Sequence, residues 1–193
     1  MAALQLAHIA PLTDYVHSLR LRDTNEYPYF DPADGGVNAS ILFLFEKPGP
    51  MTVDKGSLGR VGSGLISRDN DDPTAEATFC FMREAGVPRT STVTWNTVPG
   101  WNGTRRITSS ELKAGVRDLS ELLALLRKVR TIVLVGRKAE RAEASIRELG
   151  PYALFRSPHP SPLVRASYPD RWSSIPDLWR EAARHAGVWR QEG

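Results

Sequence analysis

Two short runs constrain the fold of this chain more than anything else in it. Residues 39–45 read ASILFLF and residues 131–135 read TIVLV. Both are apolar almost throughout, rich in branched or aromatic side chains, and too short for helices. A strand with one wet face alternates polar and apolar residues. A strand covered on both faces does not, and such strands belong to parallel sheets with helices packed on either side. The segments around them carry helix signals. Residues 11–22 place Leu12, Tyr15, Val16 and Leu19 on one helical face. Asp72 and Pro73 open a helix that Gly86 stops. The sequence from Thr108 to Glu111 is a capping box and starts a helix reaching about Leu126. Residues 138–149 read as one helix closed by Gly150 and Pro151. A β-branched run marks 91–98 as a second strand, 131–135 is the third, and 152–156 a weaker fourth. A loop rich in Pro, Asp and Gly spans 27–38, and a proline-rich loop leads to a last helix at 175–186. Strand and helix in alternation predict a three-layer α/β sandwich, with a central, mostly parallel four-stranded sheet flanked by helices. A single domain over residues 1–193 is expected.

Composition excludes several classes. With 41% hydrophobic and 24% charged residues, the 193-residue chain is an ordinary globular sequence. Its one cysteine, Cys80, can supply neither an internal disulfide nor an iron–sulfur cluster or structural zinc. No metal or cofactor is expected. There is no run of eighteen apolar residues and no basic-then-apolar leader, so the expectation is a cytoplasmic monomer without a membrane segment. A net charge of +3 and a pI near 9.2 permit contact with phosphates without requiring it.

Open parallel sheets bind ligands beyond the carboxyl ends of their strands. Three unusual segments fall there: Glu46-Lys-Pro-Gly49 after the first strand, Asn96 to Trp101 at the end of the second, and Ser157-Pro-His-Pro-Ser-Pro162 after the fourth. Prolines on both sides of His159 stiffen its loop. A neutral imidazole held there can donate to an oxygen that gains negative charge, or the histidine is incidental to a rigid turn. The Asn96 carboxamide can read a base edge with its donor and acceptor, or cap its own turn. Glu46 can orient a water or stabilise a developing cation, or simply pair with Lys47. Arg105 and Arg106 are candidates for backbone phosphates, or an exposed solvated pair. Asp72 is read as a helix cap, Gly136 as close strand–helix packing, and Trp172, Trp179 and Trp189 as helix packing.

The same segments resemble a known family. HPSPL at 159–163 is similar to the second signature of the uracil-DNA glycosylase superfamily. EKPG at 46–49 is similar to its first, which reads GEAPG in bacterial branches, and TWNTVP at 94–99 is similar to its base-reading strand. The resemblance spans roughly residues 39–163 and places the chain in a divergent bacterial branch without an iron–sulfur cluster. It implies a monofunctional enzyme that flips a damaged nucleotide out of DNA and hydrolyses its glycosidic bond, the partner being DNA with uracil or another deaminated base. By that resemblance Glu46 and His159 are the catalytic pair. Asn96, Lys47, Pro48, Gly49 and Ile66 meet the base. Ser157, Pro160, Ser161, Pro162, Leu163, Arg165, Arg105 and Arg106 meet the DNA, with Leu163 or Arg165 as the wedge. The sequence departs from the family at Phe45, where the first signature opens with glycine. Lys47 stands where the fastest branch has a catalytic aspartate, and Gly49 where that branch has a tyrosine excluding thymine. Ile66 stands where an aromatic stacks on the base, so Phe30 or Phe45 is expected to stack instead. A non-catalytic binder of damaged bases or abasic sites is the alternative.

Overall fold

The computed structural model describes residues 2–52 and 61–189. In chain order the elements are α1 (Ala10–Arg20), β1 (Tyr29–Phe30), β2 (Ile41–Phe45), β3 (Leu65–Ile66), α2 (Pro73–Glu84), β4 (Thr92–Asn96), α3 (Ser109–Leu125), β5 (Thr131–Val135), α4 (Arg137–Glu140), α5 (Glu143–Leu149), β6 (Ala153–Ser157), α6 (Pro162–Ser167), α7 (Pro169–Ser173) and α8 (Ile175–His185). Four strands form the central sheet in the order β4-β2-β5-β6, and every pairing is parallel. The fold is the three-layer α/β sandwich that the apolar runs imply.

Strand geometry explains why those runs carry no polar alternation. Successive side chains point to opposite faces. Ile41, Phe43 and Phe45 pack with Phe81 and Met82 of α2 and Trp179 of α8. Leu42 and Leu44 pack with Leu12 and Val16 of α1, Leu119 and Leu122 of α3, and Ile146 of α5. Both faces of β2 are therefore dry, and all five of its residues are buried.

Three features differ from the expected pattern. The helix expected over 138–149 is two, α4 and α5. Ala142 N–H bonds Ala139 O at 3.0 Å, a tight turn that lets Ala139, Ala142 and Ile146 all reach the core. The 27–38 loop contains β1, which pairs in parallel with β3, Tyr29 opposite Leu65 and Phe30 opposite Ile66. The proline-rich stretch before α8 coils into α6 and α7, each opened by a proline in its first turn, where the missing N–H costs nothing. Among the described residues no helix is long and apolar enough to cross a membrane.

Topology places the site. β2 connects to β4 through α2 on one face, whereas β5 connects to β6 through α4 and α5, with α5 on the other. Connections that leave in opposite directions open a crevice between the strand ends. Glu46 follows β2 and Gly136 follows β5 at that point.

Candidate active-site cleft

The carboxyl ends are level: Phe45 lies opposite Asn96, and Val135 opposite Ser157. Beyond them opens a cleft of about 440 Å³, bounded among others by Phe45, Asn96 and His159. That volume suits a ligand of nucleobase or nucleoside size. Pro48, Gly49 and Ile66 contribute to its walls, and Arg105, Ser161, Pro162 and Leu163 also border it.

Asn96 is buried at the end of β4, yet its carboxamide makes no hydrogen bond with any described residue. The residue is buried, but its amide atoms are not sealed from solvent, so they open onto the cleft, where water or a ligand can satisfy them. Its donor and acceptor remain available to a base edge. His159 stands edge-to-face on Phe45, ring centroids 5.7 Å apart. Its Nδ1 is sealed from solvent without a partner. Burial lowers its pKa; Glu46 pulls it up, while Lys138 and Arg105 push it further down. The ring is thus held neutral at physiological pH, with an N–H to donate and no charge to shed.

Glu46 does not border the cleft. Its Oε1 accepts the backbone N–H of Lys138 at 3.1 Å, and its Oε2 lies 3.5 Å from Lys138 Nζ. Gly136 makes this possible. Its φ of +95° disfavours any side chain, and a Cβ there would stand 2.7 Å from Glu46 Oε1 and 3.2 Å from His159 Cβ. The glycine read as a packing residue therefore also seats both candidate catalytic side chains.

Lys47 borders the cleft, but its ammonium turns away from it. Nζ donates to Glu111 Oε1 at 2.7 Å, Asn102 Oδ1 at 2.8 Å and Arg106 O at 3.1 Å, and the side chain is 3% exposed. An ammonium has three donors, and all three are used. The Lys47 ammonium is thus committed to bonds within the protein, while the residue still borders the cleft. Its partner Glu111 also closes the expected capping box with Thr108. Burial raises the Glu111 pKa, but hydrogen bonds from Lys47 and Thr108 outweigh it and bring it down to about 2.

Other expected contacts divide. Ser161 caps α6, its hydroxyl accepting from Val164 N–H, and Leu163 stands 72% exposed at the cleft edge. Ser157 is buried; its hydroxyl accepts from Trp179 Nε1 at 2.8 Å and donates to Pro158 O at 3.0 Å, so its one donor is already committed. Pro160 is also buried. Arg165 lies over Trp172, 5.9 Å from its ring, and does not border the cleft. Arg106 does not border it either, whereas Arg105 does. Phe30 stacks on Trp95 at 4.0 Å inside the core and cannot meet a ligand; Phe45 is the aromatic that borders the cleft.

One cluster escaped sequence reasoning. Arg68 borders the cleft from behind, and its Nη2 bonds Thr92 Oγ1 at 2.7 Å and Asp34 Oδ1 at 3.3 Å. Arg89 joins Asp34 at 3.1 Å, Asp31 at 2.5 Å and Asp69 at 2.8 Å, and Ser67 donates to Asp31. Burial raises the Asp34 pKa to about 6; Arg68 and Arg89 oppose this and Asp31 adds to it. The hint in the sequence was Asp31 and Asp34 in an otherwise plain loop. Among the described residues no group of three or more His, Cys, Asp or Glu side chains is placed to hold a metal.

Comparison with known proteins agrees with this architecture. A search of curated proteins gives no match. The solution NMR structure of a candidate uracil DNA glycosylase from Methanosarcina acetivorans is similar in fold, with a TM-score of 0.50 and 20% sequence identity, covering 75% of this chain and 91% of that one. The family profile of the uracil DNA glycosylase superfamily matches residues 63–183, which include β4, β5, β6, Asn96 and His159. The chain belongs to the uracil DNA glycosylase superfamily.

Proposed function

We propose that this protein is a DNA glycosylase that removes uracil, or a related deaminated base, and leaves an abasic site. One observation carries the reading: a carboxamide without a partner among the described residues, Asn96, and a neutral imidazole, His159, share a cleft large enough to admit a nucleobase at the carboxyl edge of the sheet. In this mechanism the flipped base enters the cleft and pairs with Asn96 through its Watson–Crick edge. The bond between C1′ and the base nitrogen breaks, and its electron pair leaves with the base. His159 donates a hydrogen bond to the pyrimidine oxygen that takes up that charge. Water then gives hydroxide to C1′ and a proton to the base. Glu46, beneath His159 and off the cleft, stabilises the sugar cation through its field rather than by contact. At the mouth, Arg105 and Ser161 hold backbone phosphates, and exposed Leu163 fills the gap left in the base stack.

The test is release of uracil from a labelled oligonucleotide, read as alkaline cleavage under single-turnover conditions. Loss of one donor to a developing anion costs about a hundred- to a thousand-fold in rate. His159→Ala should lose that much while keeping the wild-type melting temperature within a few degrees. No release of uracil, hypoxanthine or xanthine by the wild type would overturn the enzyme. The withdrawn Glu46 supports a second reading, a binder of damaged or abasic DNA without turnover. Tight binding to abasic DNA together with zero release would select it.

A further inference from the structure

We infer that Lys47 is a positioning residue that fixes the 102–108 loop so that Arg105 faces the cleft. The inference rests on the proposed DNA-binding role of Arg105. It concerns how that role is supported.

The geometry is specific. Lys47 lies directly between Glu46, which sits against the His159 loop, and Pro48, which forms a cleft wall. Its ammonium reaches both sides of Arg105: Asn102 Oδ1, three residues before, and Arg106 O, one residue after. Glu111 closes the ring, accepting from Lys47 and from Asn102 Nδ2 on the same Oε1. Lys138, the other lysine beside Glu46, donates to Arg105 O at 3.4 Å. The backbone of Arg105 is thus held from two directions, while its guanidinium makes no hydrogen bond or ion pair with any described residue. That guanidinium lies beside Gly49, where a Cβ would meet Arg105 Nη2 at 3.7 Å, and close enough to His159 to depress its pKa. A cation with no partner among the described residues, on a pinned backbone at the cleft, is the arrangement a phosphate needs. An untethered 102–108 loop would spread that cation over many positions, and affinity would fall with the occupancy of the right one.

The experiment uses the full chain and a fluorescein-labelled duplex carrying a tetrahydrofuran abasic analogue. Affinity is read by anisotropy between 50 and 200 mM salt, about the range in which phosphate contacts separate. Lys47→Met should weaken binding about tenfold and reduce the salt slope by about one, the signature of one lost phosphate contact. Arg105→Gln should do the same, and the double variant should be no worse than either single one. Lys47→Arg should rescue. Hydrogen exchange at amides 102–108 should speed up in Lys47→Met without DNA. Lys47→Met/Glu111→Gln removes the stranded carboxylate, so a loss through misfolding is recovered there and a loss through untethering is not. Unchanged exchange in the loop, or additive losses in the double variant, would overturn the inference. If the wild type fails to bind this duplex at low salt, the functional reading falls instead, and the exchange arm alone decides the tether.

Discussion

Two charge clusters back onto the cleft, one through Lys47 and one through Arg68, and their carboxylates respond oppositely to burial. Glu111 faces one lysine, two donors from Thr108 and an amide from Asn102, and its pKa falls to about 2. Asp34 faces two arginines and a threonine, and its pKa rises to about 6. Cations alone therefore do not set the direction. The Glu111 side chain keeps 23% of its surface in water and collects donors on both oxygens. The Asp34 side chain is 4% exposed, shares Arg89 with Asp31, and its second oxygen has only a 3.5 Å bond to Thr94. Desolvation wins where hydrogen bonds to the charged form are few, and loses where they are many.

The contrast can be broken by removing one partner at a time. Asp34→Ala leaves Arg68 buried and Arg89 short of a partner. Breaking a buried pair in this way costs about 3–5 kcal/mol, and urea unfolding should show it. Lys47→Met should cost less, about 1–3 kcal/mol, because Glu111 retains Thr108, Asn102 and some solvent. The two clusters should also separate by pH. Stabilisation from Glu111 is complete above its unfolded value near 4.5 and is lost as pH falls toward 2, so the gap between wild type and Lys47→Met should close on acidification. Asp34 runs the other way: its contribution is complete below 3.8 and is lost as pH rises through about 6. The gap between wild type and Asp34→Asn should therefore narrow across that upper window, measured by melting temperature in a pH series. Parallel trends in the two series would refute the contrast. The smallest effect belongs to Ser67→Ala, which removes one hydrogen bond to Asp31 and should cost about 1 kcal/mol.

The sheet was legible in the sequence because burial on both faces leaves a composition mark: β5 begins and ends where TIVLV does. Asn96 and His159 were legible because strand ends and proline-flanked loops are local features. What the sequence did not disclose was long-range or subtle. Nothing local tells Lys47 to bond Glu111, sixty-four residues on, rather than a ligand. Ser157 looked like a loop hydroxyl, but β6 extends through it and delivers it to Trp179. β1 and β3 have two residues each, too few for any period to register. The break between α4 and α5 contains neither glycine nor proline, since packing of Ala142 rather than a breaker makes it.

The bond from Trp179 to Ser157 ties the histidine loop to a helix that supplies no cleft residue. The cleft edge of the molecule is in effect moored to its stern. Trp179→Phe would keep most of the apolar packing of α8 and remove only that bond, so under the proposed function a change far downstream of the signatures should read out as a slower reaction.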